Sequence, residues 1–208
     1  DFGDLSSSTA QNPVKTYLDP GTYSVTLTVT GPGGIDSELK GDYVIVGTPA
    51  PTTNFTASPL SGVAPLGVSF TDTTTGAVSS WSWDFGDMDT STLQNPTHTY
   101  AAAGTYTVAL TANGPGGAVT ETKTDLIVVI EPAPNASFSG TPTSGVLPLT
   151  VNFSDSSTGV ITSFAWIFGD GDMSSLQNPS HTYSAAGSYT VSLTVTGPGG
   201  SNTSTLTD

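Results

Sequence analysis

The sequence predicts an all-β chain made of tandem two-sheet β-sandwiches with an 83-residue repeat. Three observations carry that prediction. First, the words Trp83-Asp84-Phe85-Gly86-Asp87, Gln94-Asn95-Pro96-Thr97-His98-Thr99-Tyr100 and Gly104-Thr105-Tyr106 recur along the chain. They return at Trp166, Phe168-Gly169-Asp170, Gln177 to Tyr183 and Gly187-Ser188-Tyr189, and they open the chain at Asp1-Phe2-Gly3-Asp4, Gln11-Asn12-Pro13, Tyr17 and Gly21-Thr22-Tyr23. Second, the offset never changes (95 − 12 = 83 and 178 − 95 = 83), which marks a tandem array. Third, apolar and polar residues alternate within a unit, and clusters of Gly, Pro, Asn and Asp separate the runs.

In chain order, residues 1–49 match the later part of a unit, 50–132 form one complete unit, and 133–208 form a unit lacking its last strand. The joints Gly47-Thr48-Pro49-Ala50-Pro51 and Glu131-Pro132-Ala133-Pro134 are short and proline-rich, hence semi-rigid. In the complete unit, Leu66, Val68 and Phe70 alternate with small or polar residues. Trp81, Trp83 and Phe85 share one face, with Ser80, Ser82 and Asp84 on the other. Tyr106, Val108 and Leu110 repeat the pattern, and Leu126 to Ile130 is a β-branched run read as the final strand. Turn clusters include Gly86-Asp87, Asn95-Pro96 and Asn113-Gly114-Pro115-Gly116-Gly117. No stretch has helical spacing with caps; Ala101-Ala102-Ala103 is too short. Short strands between regular turns imply two packed sheets with Trp83 at the centre. Tyr100 and Tyr106 flank Gly104, where one hydroxyl is expected to close on the backbone as a tyrosine corner.

Composition narrows the function. Net charge is −14, the only cations are three lysines, and there is no arginine, so nothing clusters positive charge for phosphate backbones or anionic lipid. Nucleic acid is excluded as a partner, and no apolar run is long enough to insert in a membrane. The 10% of charged residues leaves a surface of Ser, Thr, Asn and Gly. Cysteine is absent, which by itself does not place the compartment.

The combination Trp-Asp-Phe-Gly-Asp (Trp83 to Asp87), Asn-Pro-x-His-x-Tyr (Asn95 to Tyr100) and Gly-x-Tyr-x-Val-x-Leu (Gly104 to Leu110) resembles the polycystic kidney disease (PKD) domain. The resemblance covers nearly the whole chain. It implies tandem immunoglobulin-like, PKD-type β-sandwiches used outside the cell, in surface-layer and other cell-surface proteins, as accessory modules of secreted hydrolases, or in receptors. The family has no catalytic site to carry over. Two departures stand out: Ile167 replaces Asp84 in the third copy, and Lys15 replaces His98 and His181 in the first.

Candidate sites are few. Asp84, Asp87 and Asp89 are candidate calcium ligands, partly repeated by Asp170 and Asp172; the competing reading is a turn whose Asp carboxylates accept backbone N–H groups. No cofactor is required. His98 and His181 come one per unit with no second His or Cys, so no transition-metal set is expected; each reads as a strand histidine hydrogen-bonded near the sandwich edge. Asn54, Asn135, Asn152 and Asn202 stand in glycosylation sequons, whereas Asn95 and Asn178 precede Pro and are excluded. The recurring aromatics are assigned to the core rather than to a sugar platform.

The expected protein is not an enzyme, because no acid–base pair recurs beside a nucleophile. It is expected to be an extracellular structural module that spaces, sheathes or assembles at a cell surface. Its partners are other copies of itself, head to tail in a longer, filament-like array, together with glycans. The alternative is a carbohydrate- or matrix-binding accessory module of a secreted hydrolase. A neighbouring catalytic domain in the full-length gene would favour the second; many further copies with an anchor would favour the first.

Overall fold

The computed structural model describes residues 1–207, and every regular element among them is a β-strand. No helix long and apolar enough to cross a membrane is present among the described residues.

The first repeat contributes one antiparallel hairpin, β1 (Gly21–Gly31) and β2 (Gly34–Val46). Asp1 to Pro20 forms no strand; Asp1 is held to the hairpin by the Thr26 N–H on its carbonyl and by its own ammonium on the Thr26 carbonyl, and the Tyr17 hydroxyl closes the segment on the Phe2 carbonyl. The face of the hairpin that would line a sandwich is open. Leu27 is 62% exposed, whereas Leu110, at the same position one repeat on, is 0% exposed.

The second repeat closes into two sheets. Its strands are β3 (Phe55–Ser58), β4 (Ser61–Val63), β5 (Leu66–Asp72), β6 (Ser80–Asp84), β7 (Thr90–Ser91), β8 (Thr97–Tyr100), β9 (Gly104–Gly114) and β10 (Gly117–Ile130). One sheet runs β3-β5-β8 and the other β4-β10-β9-β6-β7. All pairs in both sheets are antiparallel except β4 with β10, which is parallel through Ser61–Val128 and Val63–Ile130. The alternating residues meet between the sheets: Phe55, Val68 and Phe70 from one side, Trp83, Val108, Leu110, Ile127 and Val129 from the other. Trp81 is only half-buried, at the margin of this core, and donates its Nε1 hydrogen to Asp72 at 2.8 Å.

The expected final strand, Leu126 to Ile130, is the second half of β10 rather than a strand of its own. The first half, Gly117 to Lys123, pairs with β9, and a bulge between Lys123 and Ile127 shifts the register. Asp125 takes a left-handed φ of 52° there, and its N–H donates to the Thr107 hydroxyl at 3.1 Å. The tyrosine corner belongs to Tyr106, whose hydroxyl donates to the Ala102 carbonyl at 2.9 Å. Tyr23 and Tyr189 do the same to Asp19 and Ala185. Tyr100 instead crosses the core to the Phe85 carbonyl at 3.0 Å.

The third repeat follows the second: β11 (Phe138–Thr141), β12 (Leu149–Asp155), β13 (Ser163–Ile167), β14 (Met173–Ser174), β15 (Ser180–Tyr183), β16 (Val191–Gly197) and β17 (Gly200–Leu206). Its sheets are β11-β12-β15 and β14-β13-β16-β17, around a separate core centred on Trp166. Strand β17 corresponds to the first half of β10.

Each joint is covered by the hairpin turn of the repeat that follows it. A Cβ added to Gly116, between β9 and β10, would overlap the backbone carbonyls of Thr48 and Pro49; one on Gly199, between β16 and β17, would overlap those of Glu131 and Pro132. Only glycine allows backbone to lie on backbone this closely. Gly33, the equivalent turn residue of the first repeat, has nothing within 4 Å of such a Cβ.

Candidate metal centre

The loop after β6 is shaped by its own aspartates. Asp84 Oδ1 accepts the Gly86 N–H at 2.9 Å, and Asp87 Oδ1 accepts the Asp89 N–H at 3.2 Å. Gly86 has a φ of 84° with the Thr107 carbonyl directly beneath it, so a side chain there has no space. Asp84 and Asp87 thus make contacts of the kind the turn reading expects. Asp84 lies outside the trio whose ligand atoms come together.

That trio is Asp87, Asp89 and His98, with one ligand atom of each lying within 4.8 Å of the other two. His98 arrives from β8, in the opposite sheet. Its ring stacks on Phe85 at 4.3 Å and 2°, meets Tyr100 edge-on at 4.6 Å, and places Nε2 2.7 Å from Asp87 Oδ2. The ring is clamped between aromatics, so only its Nε2 side faces the carboxylates. The third repeat reproduces the arrangement with Asp170, Asp172 and His181: Phe168 stacks on His181 at 4.2 Å, and His181 Nε2 lies 2.7 Å from Asp170 Oδ2. Ile167 stands where Asp84 does and leaves the trio intact. Burial pushes the Asp170 carboxyl up, but hydrogen bonds from His181 and from the Asp172 N–H outweigh it and hold the carboxyl below the usual range.

In the first repeat the corresponding residues are Asp4, Ser6 and Lys15. Lys15 Nζ lies 2.5 Å from Asp4 Oδ2 and 2.7 Å from the Ser6 hydroxyl. The lysine, with help from Ser6, lowers the Asp4 carboxyl to about 2.

The histidines do sit on strands and hydrogen-bond at the sandwich edge, as their sequence context suggests. Counting His and Cys could not reveal that the fold brings each beside two carboxylates. One signal was available: His98 and Asp89 change together, to Lys15 and Ser6, in the first copy. The four sequon asparagines, Asn54, Asn135, Asn152 and Asn202, are all exposed. Asn202 also accepts the Ala136 N–H through Oδ1 at 3.0 Å.

Comparison with known proteins agrees with the motifs. Collagenase ColA of Bacillus cereus is 38% identical over 84 residues, covering 38% of this chain and 9% of the collagenase. Collagenase ColQ1 of Bacillus cereus strain Q1 is 36% identical over 83 residues, covering 38% and 8%. The chain thus spans less than a tenth of the curated relatives it matches. The crystal structure of the PKD1 domain from the Vibrio cholerae metalloprotease PrtV is 38% identical, covers 36% of this chain and 94% of that one, and superposes with a TM-score of 0.32. The profile of the PKD domain matches residues 1–46, 48–129 and 131–208. With nearly every residue inside one of those three matches, the chain belongs to the PKD domain family.

Proposed function

We propose that the chain is a non-catalytic extracellular spacer, a tandem array whose repeats are folded beads and whose joints are held in place. The observation that carries this reading is the hairpin turn seated on each linker. Thr48 and Pro49 lie under Gly116, and Glu131 and Pro132 lie under Gly199. Strand β2 ends at Val46 and β10 at Ile130, so the covered residues follow the preceding strand after one residue at the first joint and directly at the second. A joint with so little slack transmits orientation from bead to bead. Partners are further copies of the same repeat, head to tail, at a cell surface or in a filament. The exposed sequons support glycan attachment in such a setting.

Small-angle scattering of the chain tests the spacer. The expected result is one sharply bounded maximum dimension, with a broader, more flexible profile for Gly199→Ala at unchanged β-sheet circular dichroism. A flexible parent profile, or no difference between the two, overturns the reading. The matches to two collagenases favour a second reading, an accessory module that binds matrix or carbohydrate beside a hydrolase. Retention of the chain on insoluble collagen or polysaccharide would select it.

A further inference from the structure

We propose that Asp87, Asp89 and His98 form a binding site for a divalent transition-metal ion of the zinc class, and that Asp170, Asp172 and His181 form a second, equivalent one. Two carboxylates and an imidazole are a ligand set for such an ion, which takes nitrogen and oxygen donors at about 2.0–2.2 Å and fills its remaining position with water. Donor atoms within 4.8 Å of one another need only a small rotation of the exposed Asp89 side chain to reach that geometry. The imidazole sets the metal class: calcium and magnesium prefer oxygen throughout, whereas zinc, nickel and copper accept a histidine nitrogen. The aromatic clamp on His98 fixes its ring before any ion arrives, so little ordering accompanies binding. On binding, Nε2 turns its lone pair to the ion; the Asp87–His98 hydrogen bond gives way, and any proton on Nε2 leaves to solvent.

The first repeat supplies independent support, because the same loop there holds a cation. Leu5 and Met88 share the left-handed turn conformation, with φ of 71° and 79°, so the two loops correspond residue for residue. At the histidine position the first repeat carries Lys15, whose ammonium sits between Asp4 and Ser6. With this built-in cation the second carboxylate is absent, and the cluster is neutral. Without it, in the second and third repeats, the second carboxylate is present, and two carboxylates stand beside an imidazole. The chain's other two lysines are engaged elsewhere: Lys40 pairs with Glu38, and Lys123 donates to the Phe55 carbonyl. A loop-pinning hydrogen bond accounts for Asp87 and His98 but gives Asp89 no role; a bound divalent ion gives all three one.

The test is calorimetric titration of the tag-free, chelator-treated chain with zinc chloride, and in parallel with calcium chloride. Two zinc ions per chain are expected. Asp89→Asn, an exposed substitution, should reduce this to one, and Asp89→Asn with Asp172→Asn to none. Transplanting the set into the first repeat, with Ser6→Asp and Lys15→His, should raise it to three. Cobalt in place of zinc should perturb the imidazole NMR resonances of His98 and His181 most strongly, with the perturbation of other side chains falling off with distance from the two loops. The proposal is overturned by no zinc binding, by stoichiometry indifferent to Asp89→Asn, or by calcium binding at these residues while zinc does not.

Discussion

Trp83 lies edge-on to Phe55 with ring centres 5.1 Å apart and donates its Nε1 hydrogen to the Leu93 carbonyl at 2.8 Å; Trp166 repeats both contacts with Phe138 and Leu176, at 5.0 and 2.8 Å. Each indole is fully buried and packs against two phenylalanines of the opposite sheet. Trp83→Ala should therefore cost about 3–5 kcal/mol in urea unfolding of the second repeat, by opening a large cavity. Thr107→Ala, on the other face of β9, should cost only about 1 kcal/mol, for the hydrogen bond to Asp125 N–H; equal losses would contradict the assigned faces. Asp72 supports the same core from outside. Burial pushes its carboxyl up, but hydrogen bonds from Thr74, Gln94 and Trp81 prevail and hold it below its ordinary value of 3.8. A lowered folded pKa means stability that is fully present above the unfolded value and lost as pH falls through the folded one. Asp72→Asn should accordingly melt lower than the parent at pH 7, with the gap narrowing below pH 4. A gap that stays constant across that range would show that the charge contributes nothing.

Among the elements, β5, β6 and β9 were legible because their inward positions are apolar and alternate. The length of β10 was not. Its first half turns Val119, Glu121 and Lys123 toward the partly buried side, so the hydrophobic period falls silent although the backbone continues. Lys123 fits there by laying its stem across Phe55, 4.8 Å from the ring centre, and donating to the Phe55 carbonyl. The bulge was equally hidden, since its sign is one aspartate in a left-handed conformation. Asp125→Val should cost about 1–2 kcal/mol, as a β-branched residue resists that φ, whereas Asp125→Gly should cost far less; chemical denaturation of the two variants makes the comparison. The metal trio escaped the sequence for a related reason. Asp87 and Asp89 belong to one sheet's loop and His98 to the other sheet, and only the sheet-to-sheet register brings them together.

Over the whole molecule, the constant offset was the strongest signal, and it made the family resemblance readable from three short phrases. Repetition also supplied internal controls: Lys15 against His98 and Ile167 against Asp84. What repetition could not convey was where the linkers lie, because the overlap of Gly116 with Pro49 involves backbone and leaves no trace beyond a glycine in a turn already rich in them. The parallel pairing of β4 with β10 carries a mechanical consequence. Strand β4 lies near the point where the chain comes in to the second repeat, and β10 is where it leaves. Leu60 accepts the Val128 N–H and Ile130 accepts the Ala64 N–H, both at 2.9 Å. A pull on the two ends of the repeat slides these parallel strands past each other, so their cross-links bear the load together instead of parting one after another. Val128→Pro, which removes one of those donors, should lower the rupture force in single-molecule stretching much more than Thr90→Pro at the far edge of the same sheet. Under tension, then, the repeat should behave as a latch that holds until β4 and β10 slip together.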